Sequence, residues 1–350
     1  MSATHNNTTG QTQDAQPPPP PLVMMQMMTG YVVSQAIYVA AKLGIADLLK
    51  DGPRSSDELA KSVGADARSL YRVLRSLASL GVFTETNEKS FALTPLAETL
   101  RTDVPGSLHA MAVWMNEPFH WRVYEDMLHS VKTGKLAFEH VFGMEAFPYF
   151  VQNPEVAKIF DNAMTSFSLM TAPAVTAAYD FSAIKKIVDV AGGHGLLLSS
   201  ILKLNPHLQG VLFDMPSVIE GAGRLIEEAG VADRCERVAG DFFEAVPAGG
   251  DAYIMKHIIH DWDDERSLVI LRNCHRAMVE DGKLMLVEVV IPPGNEPSLG
   301  KLMDIEMMLL PGGTERTEAE YGELFAAAGF RLMRVVPTGS PVSVIEAVRV

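Results

Sequence analysis

The stretch Met255 to Glu265, "MKHIIHDWDDE", sets two histidines, His257 and His260, ahead of four carboxylates, Asp261, Asp263, Asp264 and Glu265. Two chemistries can use such a set. Imidazoles and carboxylates are metal ligands, and histidines at this spacing could share one face of a helix. Alternatively, one imidazole is a general base: with an ordinary pKa of about 6.5 it is largely neutral at pH 7 and can take a hydroxyl proton. The flanking residues bear on the choice. "DAYIMKH" has the apolar run of a strand, so the helix should begin only near Asp263, and the histidines then share no helical face. Asp263, Asp264 and Glu265 fall at that helix N-terminus, where carboxylates complement the dipole. His257 is expected to pack or to support. His260 sits just past the carboxyl end of a strand, where open parallel sheets place their ligands. No metal is expected.

A second group lies upstream. In "VDVAGGHG", Gly192, Gly193 and Gly195 join a strand to a helix. Glycines there let the backbone turn tightly and approach a ligand. Asp214 ends the next strand, 19 residues after Gly195, about the spacing at which an acid holds a ribose diol. A third strand end, "GDFF", adds Asp241, which can accept from an adenine amino group, and Phe242, which can stack on the ring. The turn lacks G-x-G-x-x-G, and nothing marks a pyrophosphate site. The set suits a nucleoside without phosphates, of which S-adenosylmethionine is one. A plain strand–helix turn with a capping aspartate, or an NAD enzyme, remains the alternative.

These residues need elements to hold them. From Phe181 onward strand and helix alternate, from "KKIVDV" to "VSVIEAVRV". This predicts a doubly wound α/β domain, a parallel sheet covered on both faces. The last two strands leave almost no room for a helix between them, so they should form a hairpin that puts one antiparallel strand in the sheet. Upstream the pattern is helical. "SSDELAKSVGADARSLYRVLRSLASLGVFTET" followed by "FALT" reads as helix, helix and hairpin, a winged helix; Ser55 and Glu58 have capping-box spacing. Arg68, Arg72 and Arg75 share its polar face, which leaves open a ligand-sensing DNA regulator beside a winged helix used for packing. The net charge of -14 disfavours a phosphate surface. "VMMQMM" supplies adaptable side chains for an interface. Residues 1–21, ending in a proline run, are expected to be a disordered tail, without the basic-then-apolar order of a signal peptide. The expected domains are 22–105, winged-helix-like; 106–180, a helical linker with the acceptor pocket; and 181–350, the cofactor-binding catalytic domain. Two cysteines imply no disulfide framework and a reducing, cytoplasmic setting. No apolar run is expected to reach the roughly 20 residues that span a bilayer.

"VDVAGGHG", "FDMP", "GDFF", "MKHIIHDWDDE", "LVEVVIPP" and "PGGTERTEAEY" stand in the order found in the small-molecule O-methyltransferases. The chain resembles that family, which includes plant caffeate and isoflavone enzymes, acetylserotonin methyltransferase and bacterial antibiotic O-methyltransferases. The resemblance implies a class I methyltransferase Rossmann-like domain, an N-terminal winged helix that makes a homodimer, and S-adenosylmethionine as methyl donor, with S-adenosylhomocysteine as product. It implies Gly192, Gly193 and Gly195 at the methionine part of the donor, Asp214 at the ribose, Asp241 and Phe242 at the adenine, and Lys256 and Ser168 nearby. It implies His260 as base, with Glu288 or Glu315 orienting it. Where plant relatives begin the turn with a third glycine this chain has Ala191, which is tolerable if its φ is negative. Trp114, Met115, Asn116, Phe147, Met164, Phe167, Met307 and Met308 are candidates for an acceptor pocket suited to a hydroxylated aromatic or polyketide-like molecule. The same fold and cofactor with altered chemistry is the rival reading.

Overall fold

The computed structural model describes residues 18–350 apart from Glu88. Of the expected N-terminal tail, residues 1–17 lie outside the described residues. Pro20 and Pro21 do not belong to a tail. They open the helix Pro20–Met28, at positions where a missing N–H costs nothing. With the helix Gly30–Lys42 it forms a stretch, Pro20–Lys42, whose length and mean hydropathy of 1.3 would suffice to cross a membrane, which corrects the expectation that none exists. The helical run is interrupted at Thr29, and Met24, Met25, Met27, Met28, Tyr31 and Val32 are exposed on a single copy. An apolar face of this size marks an interaction surface.

Next comes the winged helix. Strand β1 (Arg54–Ser55) leads into the helix Ser56–Val63, whose start is closed by the Ser55–Glu58 capping box. The helix Ala67–Ser79 follows, with Leu70, Leu74 and Leu77 buried and Arg68, Arg72 and Arg75 exposed. Strands β2 (Phe83–Glu85) and β3 (Ser90–Leu93) form the wing, with β1 paired antiparallel to β3. Short helices and the long helix Pro154–Ala178 then cross to the second half.

That half holds β4 (Lys186–Val190), β5 (Gln209–Asp214), β6 (Cys235–Ala239), β7 (Ala252–Lys256), β8 (Lys283–Glu288), β9 (Phe330–Pro337) and β10 (Ser343–Arg349). They form a seven-stranded sheet in the order β6-β5-β4-β7-β8-β10-β9. Strand β10 lies antiparallel between β8 and β9, as the short final connection requires. Its faces are covered by two separate apolar clusters, one gathering Val175, Leu198 and Ile201, the other Ile270, Leu271 and Phe325. This is the class I methyltransferase fold. Strand order reverses between β4 and β7, so the carboxyl ends of those two strands open onto a crevice, the usual ligand site of such sheets. Leu299–Leu309, for which the sequence suggested no element, is a helix whose Asp304 bonds the backbone of Glu315.

Leu74, wholly buried in the winged-helix core, tests that domain's packing. Leu74→Ala should lower stability by about 2–5 kcal/mol, measured as an earlier urea-unfolding transition.

Candidate active site

The glycine turn follows β4 directly. Gly193 and Gly195 have φ of +61° and +81°. Gly192 is needed for space: a Cβ there would come within 2.6 Å of Asp189 and 2.5 Å of Leu212. Ala191 also adopts a left-handed φ, +55°, so the condition under which alanine was tolerable does not hold. This conformation costs an L-residue roughly 1–2 kcal/mol, and the turn retains it because its neighbours fix the path. Asp214, at the end of β5, accepts from the N–H of Gly193 at 2.8 Å and of Met215 at 2.7 Å. Burial raises its pKa, against those two bonds. Asp241 is exposed and accepts from the N–H of Phe243. Phe242 packs edge-on against Phe243 and Trp262. The Ser168 hydroxyl is engaged by Met164 O in its own helix.

His260 lies on the single 3-10 turn Ile259–Asp261 after β7. Its Nδ1 is 2.7 Å from Glu315 Oε1, and its Nε2 is 3.5 Å from Asp261 Oδ1. Glu288, at the end of β8 and wholly buried, accepts from the N–H groups of Ile258 and Ile259, both at 3.1 Å, and stands 3.8 Å from His260 Nδ1. Glu315 is thus the carboxylate bonded to the imidazole, and Glu288 secures the turn beneath it. Burial alone would push the His260 pKa down. Glu288, Asp261 and Glu315 outweigh it and raise the imidazole to about 10. Burial in turn pushes Glu288 up to about 7 and Asp261 to about 6.

His257 also differs from expectation. It lies just past β7 with a left-handed φ of +54°, and its ring is 4.8 Å from that of His260. Its Nδ1 is 3.5 Å from Glu288 Oε2. The spacing argument against a shared site for the two histidines therefore fails, since these three side chains could each offer a ligand atom to one ion. His257 remains a packing residue by its contacts: its ring meets Phe167 edge-on, and burial, then Lys256 and His260, keep it neutral.

Several functional-looking residues escaped sequence reasoning. Asp189, buried in the middle of an apolar strand, has one carboxylate oxygen without a partner. Burial raises it to about 7 while Lys256 opposes. The isolated acid in "KIVDV" was its signal. Asp304 accepts from the N–H of Glu315 at 2.9 Å and so holds the partner of His260. Arg316 donates to Asp264, to Ile259 O and to Trp262 O, tying the His260 turn to the Thr314–Arg316 segment. Of the expected acidic helix start, Asp263 is the N-cap, while Asp264 serves Arg316. Gly313 is the tightest point: a Cβ there would lie 1.9 Å from His260 O.

The acceptor candidates divide. Phe147 stacks on Trp262, and Phe167 meets His257 edge-on, so both border the His260 turn. Met164 and Met308 are half-buried beside the same aromatic cluster. Trp114 is enclosed by Phe119, His120, Phe150 and Phe160, and Met307 is buried, so both are core. Asn116 bonds to Ala112 O and to Gln35, across to the N-terminal helices. Met115 is 48% exposed.

Comparison with known proteins agrees with this geometry. The family model for an O-methyltransferase domain matches residues 121–331, and that for an O-methyltransferase dimerisation domain matches residues 25–103. The chain is 51% identical to the phenazine O-methyltransferase of Lysobacter antibioticus, over 92% of this chain and 94% of that one. It is similar to the crystal structure of the protein designated LaPhzM, with a TM-score of 0.91 and 49% identity over 95% of this chain and 100% of that one. It is also similar to an O-methyltransferase of neocarzinostatin biosynthesis, solved with S-adenosylmethionine and 2-hydroxy-5-methyl naphthoic acid, with a TM-score of 0.77 and 32% identity over 91% and 96% of the two chains. The chain belongs to the O-methyltransferase family. It is an S-adenosylmethionine-dependent methyltransferase of the kind found in secondary-metabolite biosynthesis, and it carries the family's dimerisation domain.

The residues fit the donor. Gly193 has open space where a Cβ would stand, and its N–H is bonded by Asp214 at the end of β5. S-adenosylhomocysteine at about 100 times its dissociation constant should add roughly 2.7 kcal/mol of stability, and NAD none; Asp214→Ala should remove most of that thermal shift. Gly313→Ala should displace His260 and lower kcat by about 10²-fold while the S-adenosylhomocysteine shift persists.

Proposed function

We propose that this enzyme methylates a hydroxyl of a flat, polycyclic aromatic acceptor of phenazine-like size, with His260 as general base. The observation that carries this reading is a buried imidazole with Nδ1 bonded to Glu315 and Nε2 turned away from it, 3.5 Å from Asp261, beside the aromatic pairs Phe147–Trp262 and Phe167–His257. The phenazine O-methyltransferase relative supports the acceptor class. The donor supplies an electrophilic methyl group on a sulfonium.

In this reading Gly192, Gly193 and Gly195 receive the methionine part, Asp214 the ribose, and Asp241 with Phe242 the adenine, with Ser168 and Lys256 close by. Phe147, Phe167, Met164 and Met308 flank the acceptor ring. His260 Nε2 takes the hydroxyl proton as the oxygen becomes nucleophilic, help worth roughly 10²–10⁴ in rate. Glu315, positioned by Asp304, fixes the tautomer and stabilises the imidazolium. Glu288 holds the turn through its two backbone bonds. Apolar walls exclude water from the reacting atoms. Two copies join through the exposed 20–42 helices, and the buried, unpaired Cys235 and Cys274 suit a cytoplasmic enzyme.

With labelled donor, a panel of hydroxyphenazines, hydroxynaphthoates, hydroxybenzoates and aliphatic alcohols should show methylation of the polycyclic phenols first; transfer only to alcohols would refute the acceptor class. His260→Ala should lose about 10²–10⁴ in kcat, with rescue at high pH for acidic phenols, and His257→Ala much less. The ascending limb of kcat/KM should lie above a pH of about 6.5. Removing a negative charge favours the neutral imidazole, so Glu315→Gln should move that limb to lower pH, besides lowering the maximum. Light scattering should give a dimer.

A further inference from the structure

Three carboxylates converge on His260. Glu315 Oε1 is 2.7 Å and Glu288 Oε2 3.8 Å from Nδ1, and Asp261 Oδ1 is 3.5 Å from Nε2. The side chains of Glu288 and Glu315 are wholly buried, and one oxygen of each has no hydrogen-bond donor. A buried carboxylate without a donor is either protonated or held beside a cation.

The cations at hand are few. Lys256, at the end of β7, is shared among Asp189, Glu288 and Asp261. The Arg316 guanidinium is turned to Asp264 and to backbone carbonyls. On the other elements packed around the turn, His257 is neutral, the buried Tyr321 hydroxyl is un-ionised, and the Asp304 carboxylate serves Glu315 N and Thr314. The frame is therefore an acid-rich enclosure whose remaining positive charge is that of His260 itself.

We propose that Asp261, Glu288 and Glu315 keep one positive charge inside this enclosure throughout turnover, carried by the donor's sulfonium before transfer and by the His260 imidazolium after it. The inference rests on His260 being the base. The charge count follows from the chemistry. The bond from sulfur to methyl breaks with its electrons left on sulfur, a bond from methyl to the acceptor oxygen forms, and the hydroxyl proton moves to His260. One cation disappears and one appears at its side.

The two ligands should then differ in how their binding is linked to protonation. The cationic donor enters as His260 gives up its proton, so its affinity rises with pH. The neutral thioether product leaves the charge on His260, so its binding exchanges no proton and its affinity stays level while the imidazolium persists. Asp261, Glu288 and Glu315 thereby set the preference between donor and product by acting through His260, as positioning residues.

The test measures, by titration calorimetry across neutral to alkaline pH, the dissociation constants of S-adenosylmethionine and S-adenosylhomocysteine for the intact enzyme. Both ligands have the same amino-acid end, so its ionisation largely cancels in their ratio. The ratio of product to donor dissociation constants should climb with pH, up to about tenfold per unit for one exchanged proton. His260→Gln, or His260→Asn if the first folds poorly, should flatten the ratio while still binding product. Asp261→Asn should weaken the donor more than the product. A ratio constant with pH in the wild type, or a slope that survives in His260→Gln, would overturn the inference. A flat ratio together with an inactive His260→Gln would leave the base reading standing and sink this one alone. Full methylation by His260→Gln would sink the base reading itself.

Discussion

The hydrogen bond between His260 and Glu315 joins residues 55 apart in sequence inside a dry interior. An ion pair so placed is costly to dehydrate and survives only when its surroundings satisfy and hold it. Much of the local structure serves that requirement. Asp304 accepts from the backbone of Glu315, Glu288 gathers the N–H groups of Ile258 and Ile259, and Arg316 stitches both segments together. The absence of a side chain at Gly313 lets the two backbones touch.

The sheet explains why this junction lies beside the glycine turn. Reversal of strand order between β4 and β7 opens a crevice at their carboxyl ends. The glycine turn leaves β4 on one side, and the His260 turn leaves β7 on the other. Asp189 and Lys256 meet beneath, one from each strand, so the electrostatics of the two halves are not independent. Two of the three left-handed non-glycine residues among the described residues, Ala191 and His257, lie here, one in each turn; the third, Lys89, is in the wing. Non-glycine residues keep such angles where packing over-determines the path, and they cluster at functional sites.

The N-terminal half answers a different constraint. Its winged helix buries Leu70, Leu74 and Leu77, while the 20–42 helices leave methionines and Tyr31 uncovered. The match of the dimerisation domain to residues 25–103 spans both features. The same apolar stretch meets a membrane criterion by length and composition. Composition cannot distinguish a lipid from a second protein surface, because both reward burial of the same side chains.

What the sequence determined by itself was local. Strand and helix alternation, the capping box at Ser55, the glycine turn, Asp214 at a strand end and Asp263 at a helix start all follow from periodicity and from hydrogen-bond needs within a few residues. So does the final hairpin, because too few residues lie between its strands to cross the sheet. Tertiary structure alone decided what depends on distant residues meeting. It selected Glu315 over Glu288 as the bonded partner of His260, brought His257 against His260, and left Trp114 and Met307 in the core. It also gave Arg316, Asp304 and Gly313 their roles. These outcomes turn on distances of a few ångströms between segments far apart in the chain, and no spacing along the chain encodes them.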